Sequence, residues 1–395
     1  MQPARHGRSL GPGPGRTARL RPLQRRPQGA GVSRIHRQRH HRRELVNAIR
    51  NGTWLENQVF PEPAWSVPGI IPEGCCILAG PPKIGKSFLV LAIALAAASG
   101  NRVLGVEVQH RPVLYLALED NARRLQNRTR MLLDDDPFPH EFYCLTRESA
   151  ERAIDLARDW VREQNHRGPL VIVDTLEKVR GQRGNNPYAD DYRAGTSLRS
   201  LLTPNGSVIA VHHTRKGTSD DFLDDVSGTL GLAGSFDTVI TLKRTRNSNA
   251  GTLSVTGRDV EEMTYQLSFA DGAWTADGGS LAAAAVNATR RKLGEKMQQV
   301  LELVNARPET TAAEVVIQTQ IPHATARQYL HRLADEHGLI TRLSTGAYGP
   351  VTVSQVSREQ DRTVSGDDES AKPGDSGEVP GVVDRSQDEP VLSGP

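Results

Sequence analysis

Cysteine is scarce in this chain of 395 residues: Cys75, Cys76 and Cys144 are the only three. None stands at a metal-ligand spacing, and an adjacent pair with one distant thiol makes a poor disulfide framework. A reducing, cytoplasmic compartment is therefore expected. Cys75 and Cys76 fall inside an apolar run and read as buried strand residues. Long apolar runs are missing as well. The longest, Phe88 to Ser99, has 12 residues, too few to span a bilayer. No apolar segment follows the basic start of the chain, so no signal peptide is expected either. Acidic residues are absent from residues 1–43, which hold twelve Arg and four His, whereas residues 351–395 hold ten Asp/Glu against four Lys/Arg. The overall charge of +3 conceals that asymmetry. Both ends lack the apolar content that offsets chain entropy and are expected to be disordered. The basic arm is either a nucleic-acid contact or a solvated tail.

Between the ends, short apolar runs alternate with helix-forming stretches. "CCILAG", "VLYLALE", "LVIVD", "SVIAVHH" and "DTVITLKR" read as strands buried on both faces of a parallel sheet. "KSFLVLAIALAAAS" and "SAERAIDLARDWVREQ" read as helices between them. Alternation of this kind predicts an α/β fold with a mostly parallel sheet. "GTLSVTGRDVEEMTYQLSFADGAWTA" reads as two antiparallel strands closing one edge. "LRSLLTPNGSVIAV" looks short for a full helix and turn before its strand. Farther on, "RRKLGEKMQQVLELVNA" reads as one amphipathic helix and "TTAAEVVIQTQI" as a second, capped by Thr310 or Thr311. "PHATARQYLHRLADEHG" is a third, ended by Gly338, and "LITRLSTGAYGPV" is a hairpin turning at Gly346. That outline is a winged helix-turn-helix. The expected organisation is a basic arm over 1–53, an α/β domain over 54–280, a winged helix over 288–350 and an acidic tail over 351–395.

"GPPKIGKS" carries the G-x-x-x-x-G-K-S spacing of a phosphate-binding loop, placed after a strand and before a helix as the motif demands. Gly80, Pro81, Pro82, Lys83, Ile84, Gly85, Lys86, Ser87 and Phe88 form the candidate nucleotide site. The two glycines let the backbone wrap phosphate, and Lys86 supplies a cation. The Ser87 hydroxyl is a Mg2+ ligand, and the helix N-terminus adds amide donors. Asp174, at the end of "LVIVD", can hold a magnesium-bound water. Glu119, at the end of the strand expected beside the phosphate loop, is the candidate base for water, preferred over Asp120, which can serve as a helix cap. His212 and His213 lack a third ligand for zinc, and His213 is favoured as a sensor of the γ-phosphate. Arg215 and Lys216 stand in a polar loop that contacts nucleic acid or only solvent. Lys243, Arg244 and Arg246 are either fingers for a neighbouring subunit's phosphate or charged guards of a sheet edge, with Arg258 as a rival.

The order GPPKIGKS, YLALEDN, LVIVDT, VHHTRKG, SGTLGLAGSFD, VTGRD resembles the RecA-fold AAA ATPases of the RepA type. That family comprises hexameric replicative helicases related to DnaB. The likeness covers residues 54–276 and implies ATP and Mg2+ as cofactors, with Glu119 as catalytic base, Asp174 as the Walker B carboxylate and His213 as the sensor. It also implies a homo-oligomer, a hexamer, whose arginine fingers act between subunits, and single-stranded DNA as partner near Arg215 and Lys216. On the third helix of the C-terminal unit, Thr325, Arg327, Gln328 and Arg332 are candidates for reading duplex origin DNA. The alternative reading is an ATP-switched replication or transcription regulator that does not unwind.

Overall fold

The computed structural model describes residues 49–180, 187–214, 232, 234–245 and 247–351. Residues 1–62 form one unit. Its described part holds a short helix, α1 (Gly52–Glu56), capped by Asn51, whose side chain accepts from the Trp54 N–H. The second unit begins at Pro63.

A nine-stranded sheet organises the second unit. Six strands are parallel neighbours, in the order β10 (Thr238–Arg244), β3 (Gly74–Gly80), β9 (Ser207–His213), β8 (Leu170–Asp174), β6 (Val113–Ala117) and β7 (Phe142–Thr146). Beyond β10 the sheet continues antiparallel through β11 (Ala250–Gly257), β12 (Met263–Ala270) and β13 (Ala273–Ala276). Two short antiparallel pairs flank it, β1 (Trp65–Val67) with β2 (Ile71–Pro72) and β4 (Arg102–Val103) with β5 (Val106–Glu107). The expected α/β, mostly parallel sheet is thus the one found.

Both faces of the parallel strands are covered, which is why they read as continuous apolar runs. Cys76 and Leu78 face α2 (Lys86–Ser99), whose Leu89, Val90 and Ile93 fill one core layer. Cys75, Ile77 and Ala79 face the other layer, made by α4 (Ala150–Gln164), α5 (Leu176–Arg180) and α6 (Pro187–Arg199). A further helix, α3 (Ala122–Leu133), follows β6.

Three local expectations are corrected. The stretch after β10 contains three antiparallel strands rather than two, because β13 is only four residues long and follows the tight turn at Gly272 (φ +82°). The segment before β9 is not short of a helix: α6 begins upstream at Pro187 and runs 13 residues to Arg199. "RRKLGEKMQQVLELVNA" is broken at Gly294, which caps the helix that follows. Before the break, α7 (Leu281–Lys292) packs on β12, with Leu281, Ala284 and Ala285 joining the main core.

After the break come α8 (Glu295–Asn305), β14 (Thr310–Thr311), α9 (Ala312–Thr319), α10 (His323–His331), β15 (Ile340–Ser344) and β16 (Ala347–Pro350). These close on a separate small core that includes Val300, Val304, Val315 and Leu330. Of the two Thr candidates, Thr311 caps α9, in a reciprocal pair with Glu314. Gly346 (φ +84°) makes the hairpin turn between β15 and β16, as expected. Among the described residues no helix is long and apolar enough to cross a membrane.

At the amino ends of the strands, Arg111 is 4% exposed. It donates to Ser66 Oγ (3.1 Å) and to the carbonyls of Gly168 (3.2 Å), Asn205 (3.2 Å) and Trp65 (2.8 Å). One guanidinium thus ties β1 to the segments that lead into β6, β8 and β9. Arg111→Ala leaves those acceptors unpaired, and we expect it to lower unfolding free energy by about 3 kcal/mol. Urea denaturation checks this; a loss below about 1 kcal/mol would deny the tie any role.

Candidate functional site

The site lies at the carboxyl ends of the parallel strands. Where β3 meets α2 the chain packs too tightly for side chains at two positions. A Cβ on Gly80 would stand 2.4 Å from the Leu242 carbonyl oxygen, and one on Gly85 (φ +102°) 2.9 Å from Trp274 Nε1. The loop is thereby pressed close around Lys86, which is 4% exposed. Its ammonium donates to the carbonyls of Gly80 (2.6 Å) and Pro81 (2.9 Å) and lies 2.9 Å from His213 Nδ1. Burial lowers the Lys86 pKa to about 8, against the opposing charges of Asp174, Glu177 and Glu119. Burial and the Lys86 charge also lower that of His213, so its neutral ring can accept from the lysine.

Asp174 ends β8 and is 6% exposed. Burial pushes its pKa up, while hydrogen bonds from Tyr115 and Ser87 favour the ionised form; Tyr115 Oη stands 2.8 Å from Oδ2. Hydroxyl and carboxylate therefore meet at the start of α2. Glu119 comes two residues after β6, exposed, with Thr175 Oγ1 donating to its Oε1 at 3.1 Å. The sequence reading set its strand beside the phosphate-loop strand, and this is corrected: β9 and β8 lie between. Glu119 nonetheless lines the same cavity as Lys86, because the loop passes over those strand ends. Asp120 is not the cap of α3. Asn121 fills that place, and Asp120 is held by Arg124 and Arg128.

Successive residues of β9 divide between two partners. His213 meets Lys86, and His212, buried, puts Nδ1 2.7 Å from Glu177 Oε1. The same Glu177 oxygen accepts from the His213 backbone N–H at 3.0 Å. Sequence reasoning missed Glu177; its only trace is an acid three residues after Asp174, in "DTLE". Burial pushes the Glu177 carboxyl up, but the His212 ring, by hydrogen bond and charge, and the His213 amide outweigh this and hold it at about 2. A carboxyl depressed on folding adds stability that is fully present above its ordinary value of 4.5 and is lost as pH falls through about 2. We expect Glu177→Gln to cost about 2 kcal/mol at pH 7 and to flatten the acid limb between those values. Denaturation at stepped pH reads both, and parallel acid limbs for the two proteins would sink the assignment.

The antiparallel extension supplies a wall that the sequence did not reveal. Trp274 Nε1 donates to the Gly85 carbonyl at 3.0 Å, and the rings of Trp274 and Phe269 lie 4.9 Å apart. Phe88 meets Phe269 edge-on at 6.0 Å. The Arg244 guanidinium stacks over Phe269 at 4.3 Å, an arrangement that orients the cation. Arg244 thus lines this chain's own cavity of about 430 Å³, together with Lys86, Glu119, Asp174 and His213. Arg258 is at the far end of β10, 3.6 Å from Asp237. Arg215, Lys216 and Arg246 lie outside the described residues.

On α10, Arg327 and Gln328 are exposed and Thr325 is half-buried. Arg332 opens the π-helical turn Arg332–Glu336 that continues α10, and its Nε donates to Glu336 Oε2 at 2.8 Å. Arg327, Gln328 and Arg332 share a groove with His323 and Arg342.

A family model described as an AAA domain matches residues 47–219, a stretch that contains the loop, Glu119, Asp174 and His213. No curated protein matches the chain. Among solved structures it is similar to a DnaB-like replicative helicase described with its interactions with primase. That likeness has 15% identity over 51% of this chain and 57% of the other, at a TM-score of 0.41. The chain therefore spans little more than half the length of that protein. A KaiC-like protein of the archaeon Pyrococcus horikoshii OT3 aligns at 10% identity over 52% of this chain and 90% of its own, with a TM-score of 0.39. The RadB recombinase aligns at 16% over 54% and 91%, also at 0.39. These likenesses are too distant to bear on activity. The matched family and the site together support a P-loop nucleotide-hydrolysing domain.

Proposed function

We propose that the chain is an ATP-hydrolysing ring motor acting on DNA, a replicative helicase of a plasmid, phage or integrative element. The observation that carries this reading is the convergence of Lys86, Ser87, Asp174, Glu119 and His213 on one cavity. Gly80 and Gly85 let the loop pack closely against Leu242 and Trp274, and Lys86 offers a phosphate a desolvated cation. Glu119, held by Thr175 at the cavity mouth, is placed to orient water and take its proton. Ser87 and Asp174 present the oxygen donors that Mg2+ takes, so they fit the ion and would hold it. When bound, it neutralises charge on the phosphates.

His213 reads the occupancy of the site through Lys86 and passes it to Glu177, and so to the segments that follow α5 and β9. Arg215 and Lys216, directly after β9, are the proposed contacts to single-stranded DNA. An arginine of the Lys243–Arg246 segment completes the site of the neighbouring subunit in a homo-hexamer. Arg244 must leave Phe269 to do so, which favours Arg246. Native mass measurement with ATP and single-stranded DNA, paired with strand displacement on a forked duplex, tests this reading. A monomer, or turnover without displacement, would leave the ATP-switched regulator in its place.

The helix and strand order after Gly294 has the outline of a winged helix, with α10 as the element that reads duplex DNA through Thr325, Arg327 and Gln328. Arg332, bound to Glu336, is the weakest of the four candidates. Removing residues 293–395 spares α7 and its packing on β12. We expect the truncated protein to lose about tenfold in duplex affinity and to keep ATP turnover within about twofold. Unchanged duplex binding in an anisotropy titration would refute the duplex-reading role.

A further inference from the structure

A second cavity, of about 550 Å³, lies on the polar face of the antiparallel extension. Strand register builds it. Lys243 pairs with Thr252 and Thr252 with Gln266, while Thr241 pairs with Ser254 and Ser254 with Thr264. Leu242, Leu253 and Tyr265, one residue out of phase, face the core, so alternation turns this polar set outward together. The last turn of α7 closes one side with Arg291 and Lys292. Besides Arg244, whose guanidinium is stacked on Phe269, the cavity is lined among the described residues by Lys243, Arg291 and Lys292 and by no carboxylate; Asp277 stands 3.9 Å from Arg291.

Thr241 is the telling residue. It lines the cavity, is 2% exposed, and its hydroxyl has no hydrogen-bond partner. A buried hydroxyl without a partner is unfavourable, and valine would fill the same space without that cost. Cations around an unmatched hydroxyl are the chemistry of an anion site. We propose that this cavity binds a phosphate group, distinct from the nucleotide held at the phosphate loop. The phosphate belongs either to the phosphodiester of a nucleic-acid strand or to a free phosphorylated small molecule.

The test uses the full chain with ADP and Mg2+ saturating the loop. Inorganic pyrophosphate is titrated by calorimetry and a fluorescein-labelled oligothymidylate by anisotropy. The Arg291→Ala/Lys292→Ala variant is expected to weaken one probe about tenfold. The charge-neutral Thr241→Val should weaken the same probe about threefold, with ADP affinity and melting temperature unchanged. Weakening of the oligonucleotide alone assigns the phosphodiester, and of pyrophosphate alone the free phosphate. Equal binding of both probes by all three proteins overturns the site. So does loss confined to the double variant, which marks diffuse attraction. The pyrophosphate arm needs neither DNA nor hydrolysis, so failure here is separable from failure of the motor reading.

Discussion

Replacing Glu119 with glutamine is expected to lower ATP turnover about 10²–10⁴-fold while leaving nucleotide affinity within about twofold. The carboxamide keeps the shape of the side chain and can still accept from Thr175 Oγ1, now 3.1 Å from Oε1, but it cannot take a proton from water. The Lys86 ammonium bonds to the Gly80 and Pro81 carbonyls and to His213, not to Glu119. Binding and turnover should therefore separate. Phosphate release at saturating ATP, set beside a nucleotide titration of the same variant, measures both. Turnover within about threefold of the parent would transfer the role of base elsewhere.

Lys86→Ala should act on binding itself, lowering ATP affinity about 10²-fold and abolishing measurable turnover. Its charge is buried, and each hydrogen bond it makes to phosphate replaces one now made to a loop carbonyl. Fold stability should change little, because removing a desolvated ammonium offsets the loss of its bonds to Gly80 and Pro81. The alanine variant should also leave His213 without its partner and so uncouple Glu177 from the site. Retained affinity in a calorimetric titration would show that phosphate is held by the backbone amides alone.

The parallel strands and the loop were legible because their signals are local. A strand buried on both faces must be apolar throughout, and a phosphate loop needs its glycines and lysine at fixed spacing. Asp174 was legible for the same reason, as a carboxylate ending an apolar run. Glu177 was not: its role exists only because β9 lies beside β8, bringing His212 and His213 to the helix after Asp174. The wall of Phe269 and Trp274 reaches Gly85 across 189 residues, a distance over which composition says nothing. The place of Glu119 was misjudged in the same way, since its strand's neighbours depend on crossover order. At Gly294 an amphipathic pattern ran on through a helix break, because hydrophobic period alone does not register a capping glycine.

The most direct test of the account is ATP hydrolysis by the purified full chain with Mg2+, followed as phosphate release while single-stranded DNA is added. The account predicts turnover that rises about tenfold or more as the strand saturates and that disappears in Glu119→Gln. A rate that is the same with and without the strand would contradict a motor that works on DNA.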